Sequence, residues 1–431
     1  MQSRSITFYT LGCRSNQSET AVIINLLEQN NYVVLSPGKK SDIAIINTCT
    51  VTKKADADTR RLINRILRIN PKTQIALIGC QAQVQKDQLF QLPNVQWIIG
   101  NQKKFDLVAI LKGTSSAHAK QIITPPIQSK PFTVPTPGID RYHTRANIKI
   151  QDGCDSYCSY CEVPYARGSA RSRKFPDIIK EAKVLVKSGH KELILTGINV
   201  GNYSFQQKNI VDVINALEQI PDLLRIRISS IEPSSILPKL IKKMAQKDNK
   251  LCRYLHVPIQ SASDEVLKSM GRKYNSRYVL HLVREAFQCV EGICIGTDII
   301  VGFPGETEAY FEDTRKKFSD APIHYFHVFR YSPRNMAASK NFPNKIDRQT
   351  SERRSQILRQ LSKDKRKSFY NAMLGKEYSV LFEQKKGGFW KGLTDNFLHI
   401  KTSSSGFLAN QVCRVKLTKV INEEIIGKII E

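Results

Sequence analysis

Long apolar runs are missing from this 431-residue sequence, in which no stretch of about 18 consecutive apolar residues occurs. Because a bilayer-spanning helix needs about 20 such residues, we expect no membrane-spanning segment. The opening residues, MQSRSITFYTLGC, also lack the positively charged region, the apolar stretch and the small-residue cleavage site of a signal peptide. These absences predict a cytoplasmic protein.

Acidic residues are few relative to basic ones, with 38 Asp and Glu against 66 Lys and Arg, for a net charge of +28. Such an excess suits a polyanionic partner, because each neutralised phosphate of a nucleic acid releases condensed counterions. The alternative is a lysine-rich proteome in which the charge only aids solubility. Membrane-surface binding is less favoured, because no stretch combines a strong apolar face with a basic one.

The octet CDSYCSYC contains Cys154, Cys158 and Cys161, and it lacks a nearby candidate for a fourth metal ligand. The next cysteine along the chain is Cys252, and the next histidine is His190. A structural zinc site requires four ligands, and a dithiol redox pair would leave one thiol spare. Three cysteines can hold an iron–sulfur cube whose fourth iron stays open to another ligand. Disulfides are disfavoured in the reducing compartment expected for this chain.

Three cysteines near the N-terminus each end a short β-branched, apolar segment. The segments are ITFYTLGC, SDIAIINTC and TQIALIGC, ending at Cys13, Cys49 and Cys80. Helical patterns lie between them, so this region predicts a parallel sheet. Because the carboxyl ends of parallel strands lie along one edge, we expect these thiols to converge there. Three unrelated buried thiols are the alternative.

A second, longer alternation of strands and helices follows a proline-rich stretch. Six strand-like segments with five intervening helices amount to three-quarters of an eight-stranded (βα) barrel, whose active site lies at the carboxyl ends of the strands. The cysteine octet follows the first of these strands. The last sixty or so residues contain short strands separated by turn residues, which predicts a small β-barrel that binds oligonucleotides, or else a structural cap.

The predicted fold class is therefore α/β with three folded parts. These are an N-terminal flavodoxin-like parallel sheet, a central partial (βα)6 barrel and a C-terminal small OB-like β-barrel. The predicted boundaries are 1–113 for the first part, 114–143 for a proline-rich linker, 144–370 for the central barrel and 371–431 for the small barrel.

The spacing CxxxCxxC, with Tyr160 before its last cysteine, resembles the signature of radical S-adenosylmethionine enzymes. Further stretches resemble the methylthiotransferase family within that superfamily, over essentially the whole length. They include QDGCDSYCSYCEVPYARG, TGINVGNY, SSIEP, HVPIQSASDEVLKSMGRKY and TDIIVGFPGETE. FYTLGCRSNQSET, INTCTVTKKADADTRR and GCQAQ look most like the bacterial branch that methylthiolates threonylcarbamoyladenosine in tRNA.

The resemblance implies two 4Fe-4S clusters and S-adenosylmethionine as cofactors. Cys154, Cys158 and Cys161 would be the catalytic set, holding the cluster that cleaves S-adenosylmethionine to a 5′-deoxyadenosyl radical. The N-terminal trio would hold a second cluster that presents a methylated sulfur species. The implied reaction inserts a methylthio group at carbon 2 of the modified adenosine at position 37. An electron donor such as flavodoxin or ferredoxin is also implied.

The resemblance further implies a cofactor pocket and an RNA interface. Tyr160 would contact the adenine of S-adenosylmethionine, although packing or strand-end capping is an alternative for each pocket residue. The other expected pocket residues are Gly197, Gln260, Ser261, Arg272 and Asp298. The expected partner is the tRNA anticodon stem-loop. The phosphates of the stem-loop would bind Arg167, Arg171, Arg173 and Lys174, unless these residues form a solvated rim. Its bases would stack on Phe389, Trp390 and Phe397 of the terminal barrel, which is called TRAM in the family.

Three other functions stay open from the sequence. Two are neighbouring branches of the family, which methylthiolate isopentenyladenosine in tRNA or an aspartate of a ribosomal protein. The third is a non-catalytic RNA-binding protein whose cysteines hold structural zinc.

Overall fold

The computed structural model describes residues 4–113, 120–140 and 143–430. Within these ranges, no helix has both the length and the apolar character that crossing a membrane requires. The predicted α/β architecture is confirmed, with a parallel N-terminal sheet, a central barrel-like set of parallel strands and a closed C-terminal barrel.

The N-terminal part is a six-stranded parallel sheet flanked by helices. The strand order is β2-β1-β3-β4-β5-β6, so its first five strands follow the flavodoxin-like order. All residues of β3 are buried, as expected for a strand covered on both faces. The strands are β1 Ser5–Thr10, β2 Val33–Leu35, β3 Ile43–Thr48, β4 Gln74–Gly79, β5 Val95–Ile99 and β6 Gln121–Ile123. The helices are α1 Arg14–Gln29, α2 Lys53–Ile69, α3 Cys80–Val84, α4 Lys86–Phe90 and α5 Leu107–Gly113.

The central part contains six parallel strands in the order β7-β10-β11-β12-β13-β14, with an isolated parallel bridge between Ile226 and Leu251 joining its two halves. The strands are β7 Ala146–Lys149, β8 Gln151–Asp152, β9 Arg171–Ser172, β10 Glu192–Thr196, β11 Arg225–Ile228, β12 Tyr254–His256, β13 Cys294–Val301 and β14 Tyr325–Arg330; β8 and β9 form a separate antiparallel pair. The helices are α6 Val163–Arg167, α7 Phe175–Lys187, α8 Ile210–Glu218, α9 Pro238–Ala245, α10 Asp264–Ser269, α11 Ser276–Cys289, α12 Glu308–Asp320 and α13 Arg348–Met373. The largest hydrophobic core lies between these strands and helices.

The C-terminal part is a closed five-stranded barrel in the order β15-β16-β17-β19-β18. Its strands are β15 Glu377–Lys386, β16 Phe389–Thr394, β17 His399–Thr402, β18 Val412–Ile421 and β19 Glu424–Ile429. It covers the amino ends of the central strands, where Arg225 and Arg227 donate hydrogen bonds to the backbone carbonyls of Leu393 and Thr394. The small barrel thus closes the central barrel at the end opposite its strand carboxyl ends.

The segment predicted as a linker contacts both neighbouring parts. Its strand β6 pairs with β5 of the N-terminal sheet. Further on, Thr136 accepts a hydrogen bond from Asn25 of α1, while the backbone of Gly138 donates one to Glu181 of α7. Helix α1 also bonds strand β7, through Arg14 and Asn147. The N-terminal sheet is therefore held against the central barrel.

Candidate active site

The three N-terminal cysteines lie at the carboxyl ends of three neighbouring strands. Cys13 follows β1, Cys49 follows β3 and Cys80 begins α3 directly after β4. Burial, followed by the nearby thiol of Cys80, raises the pKa of Cys49 to about 12, and the thiol of Cys13 contributes in the same direction. The structure thus brings together three thiols that are more than 30 residues apart in the chain.

Close backbone approach makes this convergence possible. Gly12 has a φ of +92°, and a Cβ placed there would lie 2.7 Å from the Sγ of Cys49. A positive φ is readily adopted only by glycine, and a contact of 2.7 Å leaves no space for a methyl group. Gly12 therefore lets the chain between β1 and α1 pass directly over the thiol of Cys49.

The octet forms a compact loop after β8. The backbone of Cys161 donates to the carbonyl of Cys158 at 2.9 Å. Each of the three sulfurs also accepts a hydrogen bond. The donors are the backbone of Ser156 to Cys154 at 3.5 Å, a guanidinium N–H of Arg272 to Cys158 at 3.4 Å and the backbone of Val163 to Cys161 at 3.4 Å. Burial raises the pKa of Cys161 to about 12, so metal binding there would release its proton.

Short contacts join the two cysteine groups. The hydroxyl of Thr50, directly after Cys49, donates to a carboxylate oxygen of Glu162, directly after Cys161, at 2.8 Å. A second contact comes from the helix that follows the octet, where Arg167 Nε donates to Cys80 Sγ at 3.1 Å. These bonds place the N-terminal trio beside the octet rather than in a separate part of the molecule.

A buried charge network surrounds the Cys80 side of this junction. Glu19 and Asp152 form ion pairs with Lys104, Lys149, Arg167 and Arg171, all of whose side chains are nearly or fully buried. Four cations against two carboxylates leave an excess of two positive charges. Burial lowers the pKa of Lys104 to about 8. Although burial opposes it, the charges of Cys80 and Glu19 raise the pKa of Arg167 above its ordinary value.

These residues fit iron–sulfur clusters. Cluster ligands are deprotonated thiolates, so each bound cluster adds negative charge to a buried site. Each cysteine group has a sulfur that accepts a hydrogen bond from its own buried arginine. Arg167 donates to Cys80 in the first group, and Arg272 donates to Cys158 in the second. Hydrogen bonds to cluster sulfurs stabilise the thiolate form and tune the cluster. The excess positive charge beside Cys80 has the same effect.

A cavity of about 680 Å³ leads from Cys13 of the N-terminal trio into the central barrel. Cys13 lines it together with residues at or near the carboxyl ends of the central strands, among them the predicted pocket residues Gly197 and Asp298. Phe397 of the small barrel lines its far end and packs on Tyr254, with ring centroids 4.4 Å apart. The cavity is therefore lined both by a cysteine of the N-terminal group and by aromatic rings of the central and small barrels.

The remaining predicted pocket residues lie at other positions. Arg272 donates to the hydroxyl of Tyr160 at 3.1 Å, so both lie beside the octet. Gln260 has a φ of +74°, and its backbone N–H bonds the carbonyl of Asp298. The hydroxyl of Ser261 is buried against Thr314 of α12 at 3.1 Å. The side chain of Ser261 is thus engaged in packing the barrel wall.

The polar partners of Asp298 inside the cavity were missed from the sequence. Asp298 Oδ1 lies 3.2 Å from His256 Nε2 and 3.1 Å from His327 Nδ1, and Ser230 lies 3.1 Å from His256 Nδ1. The hydrogen bonds from the two histidines hold the pKa of Asp298 well below its usual range, against the effect of burial. The alternation of strand residues could have indicated that His256 and His327 both face the barrel interior.

The expected RNA contacts need correction. Arg167 and Arg173 are each 1% exposed, and Arg173 is engaged by Asp177 and Glu181, so neither can reach a phosphate. Arg171 is likewise buried in its ion pair with Asp152. In the small barrel, Trp390 is buried and Phe397 packs inside the central barrel, so these two rings do not present a base-stacking surface. Both errors arise because charge and aromatic patterns do not reveal burial across domains.

Comparison with known proteins identifies relatives along the whole chain. The Radical SAM superfamily matches residues 148–318, and Uncharacterized protein family UPF0004 matches residues 5–100. Threonylcarbamoyladenosine tRNA methylthiotransferase MtaB of Bacillus subtilis (strain 168) is 31% identical over 433 aligned positions, covering 96% of this chain and 94% of the relative. The tRNA-2-methylthio-N(6)-dimethylallyladenosine synthase of Ehrlichia chaffeensis (strain ATCC CRL-10679 / Arkansas) is 30% identical, with all of both chains covered.

Among solved structures, the radical S-adenosylmethionine methyltransferase TsrM from Kitasatospora setae has a similar fold. The TM-score is 0.55 at 17% identity, and the match covers 77% of each chain. This likeness supports the arrangement of an N-terminal α/β part against a radical-SAM-type barrel.

Proposed function

Because the chain belongs to the radical S-adenosylmethionine methylthiotransferase family, we propose that it inserts a methylthio group at carbon 2 of N6-threonylcarbamoyladenosine at position 37 of tRNA. It is a transferase of the iron–sulfur-dependent radical class, whose superfamily binds a 4Fe-4S cluster and S-adenosylmethionine. The observation that carries the proposal is the meeting of two cysteine groups at one junction, joined through Thr50 and Glu162.

Cys154, Cys158 and Cys161 would hold the superfamily's cluster, and Cys13, Cys49 and Cys80 a second 4Fe-4S cluster. When bound with S-adenosylmethionine, the first cluster supplies a radical that can remove hydrogen from a carbon that acid–base groups cannot deprotonate. Arg272 and Arg167 would stabilise the thiolate ligands by donating to their sulfurs. We assign the catalytic role to the octet cysteines.

The chain's own residues shape the chamber for the substrate. Glu162 accepts hydrogen bonds from Thr50, Arg334 and the backbone of Met336, which fixes the segments that directly follow Cys49 and Cys161. Phe397 and Tyr254 line the cavity and pack on each other, which adds apolar surface to its wall. Fixed, partly apolar surroundings of this kind limit the side reactions of a reactive radical.

The partner that suits this chemistry is a tRNA anticodon stem-loop, because a base must leave its stack to enter an internal cavity and loop bases do so most readily. The net charge of +28 favours a nucleic acid partner. Flavodoxin or ferredoxin would serve as the electron donor, in the cytoplasm. We propose that the N-terminal part of the chain ends at residue 113, the linker at residue 143 and the central barrel at residue 370.

Nucleoside analysis of tRNA tests the proposed function directly. A strain lacking the gene should lose 2-methylthio-N6-threonylcarbamoyladenosine and accumulate N6-threonylcarbamoyladenosine, and wild-type protein should restore the methylthio nucleoside. Loss of the methylthiolated isopentenyladenosine instead would support the neighbouring branch of the family. Unchanged tRNA nucleosides would refute both.

A further inference from the structure

The cavity beside Cys13 contains a cation that lacks a counter-charge. Arg14 lines this cavity and is partly buried. Its guanidinium donates to the amide oxygen of Asn147 at 3.4 Å, and no carboxylate within the described ranges forms an ion pair with it. Holding an uncompensated charge away from water is unfavourable. This arrangement favours an anionic ligand at Arg14.

The other charged groups of the cavity are largely neutralised. Arg145 Nε pairs with Glu383 at 2.6 Å, and His256 and His327 share Asp298. One nitrogen of Arg145 remains without a hydrogen bond, because its Nη1 is buried without a hydrogen-bond partner and lies 3.9 Å from the carboxylate of Glu192. The surplus positive charge and a free donor therefore both belong to arginines of the same cavity.

We propose that Arg14, assisted by Nη1 of Arg145, binds the carboxylate of the threonylcarbamoyl side chain and so selects this nucleoside. The inference rests on the proposed function. A threonylcarbamoyl group ends in a carboxylate, whereas a dimethylallyl group is a hydrocarbon. A guanidinium binds a carboxylate through parallel hydrogen bonds, and a site built for such a group rejects an analogue that lacks it.

The position of Arg14 suits this role. It directly follows Cys13, which lines the same cavity, so a side chain held at Arg14 keeps the attached base close to the N-terminal trio. S-adenosylmethionine also carries a carboxylate and is the other source of the same chemistry. The octet, where that cofactor is expected, is served by a different arginine, Arg272.

Kinetics on matched substrates test the inference. Two anticodon stem-loops are required, one with N6-threonylcarbamoyladenosine and one with an analogue whose carboxylate is replaced by a methyl group. The reconstituted full-length enzyme is compared with Arg14→Gln, Arg14→Lys and a surface control, Arg61→Gln, whose side chain is 69% exposed. Affinity for each stem-loop is measured in parallel by fluorescence anisotropy, which does not depend on turnover.

We expect Arg14→Gln to lower kcat/KM for the carboxylate substrate by about 10- to 100-fold, the range for loss of a charged hydrogen bond. Its kcat/KM for the methyl analogue should stay within about twofold of wild type, Arg14→Lys should recover most of the loss, and Arg61→Gln should match wild type. By anisotropy, the wild-type enzyme should bind the carboxylate stem-loop more tightly than the methyl analogue. Arg14→Gln should bind the two with similar affinity.

An equal loss on both stem-loops would overturn the inference, as would a raised KM for S-adenosylmethionine in Arg14→Gln, which would assign the residue to the cofactor. An unchanged preference for the carboxylate would overturn it as well. Because wild type modifies the threonylcarbamoyl substrate in those cases, the proposed function would survive. If wild type modifies neither stem-loop, the proposed function fails, and the inference fails with it.

Discussion

Arg167 Nε donates a hydrogen bond to Cys80 Sγ at 3.1 Å, although 87 residues separate them in the chain. Arg167 ends the short helix that begins two residues after Cys161. The bond therefore runs from the segment that follows one cysteine group to a sulfur of the other. It links the N-terminal sheet and the central barrel at the point where both present their thiols.

Replacement of Arg167 should impair the N-terminal cysteine group specifically. Arg167→Gln removes the donor to Cys80 and breaks the buried ion pairs with Glu19 and Asp152, which should lower the free energy of unfolding by about 3–5 kcal/mol. We expect less iron bound after anaerobic reconstitution, measured by metal analysis. Arg173→Gln is the matched control, because Arg173 is equally buried and paired with Asp177 and Glu181 but contacts neither cysteine group. It should destabilise the protein and retain its iron; equal iron loss in both variants would contradict this account.

Substitution of Gly12 should displace Cys49. Gly12→Ala adds a methyl group 2.7 Å from the sulfur, whereas Gly38→Ala adds one with nothing within 4 Å, at a φ of +90° compared with +92°. Both substitutions impose backbone strain of about 1–2 kcal/mol. Only Gly12→Ala should lower the iron content after reconstitution. If the two variants bind the same amount of iron, the close approach of Gly12 to Cys49 is unimportant for the site.

Substitutions in the two cysteine groups should affect two different steps of the reaction. Cys154→Ala removes a ligand of the octet and should abolish reductive cleavage of S-adenosylmethionine, measured as 5′-deoxyadenosine. Cys49→Ala should spare that cleavage but stop formation of the methylthio nucleoside in tRNA. Cys289→Ala is a control, since Cys289 is exposed at the end of α11. Loss of cleavage in Cys49→Ala would mean that the trio supports the radical step itself.

Stability should fall at mildly acidic pH because of His324. Burial, followed by the charge of Lys365, lowers its pKa to about 4, and its Nδ1 accepts a hydrogen bond from the backbone of Ile295 at 2.9 Å. A histidine that is neutral in the folded protein and has a pKa of about 6.5 in the unfolded chain stabilises the folded state fully above pH 6.5. This contribution is lost progressively as pH falls from 6.5 to 4, by up to about 3 kcal/mol. Urea unfolding at pH 7.5 and 4.5 should show a smaller pH-dependent loss for His324→Gln than for wild type; identical losses would contradict the prediction.

Much of the fold and the cysteine groups could be predicted from local patterns. Cys13, Cys49 and Cys80 each end a β-branched segment, and parallel strands bring such ends to one edge. The roles of Arg171 and Arg173 were not predictable, because a basic run looks the same whether it faces solvent or pairs with carboxylates on distant segments. Phe397 was mistaken for a base-stacking ring for the same reason, since nothing local shows that it packs on Tyr254.

The network around Glu19 shows the same limit. Its partners Lys104, Lys149 and Arg167 come from both the N-terminal sheet and the central barrel, and no spacing in the chain connects them. Periodicity identifies which face of one element is buried, but not which charged groups of separate elements meet. The electrostatic surroundings of the cysteines therefore emerge only from the three-dimensional structure.

The iron content of cysteine variants tests the central claim most directly. After anaerobic reconstitution, the wild-type chain should bind about eight irons, corresponding to two cubes. The variant with Cys13, Cys49 and Cys80 replaced by Ala should bind about four, and so should the variant with Cys154, Cys158 and Cys161 replaced. Colourless wild-type protein that contains only zinc would contradict two clusters at one junction. So would wild-type protein with about four irons that are lost when the octet cysteines are replaced and kept when the N-terminal trio is replaced.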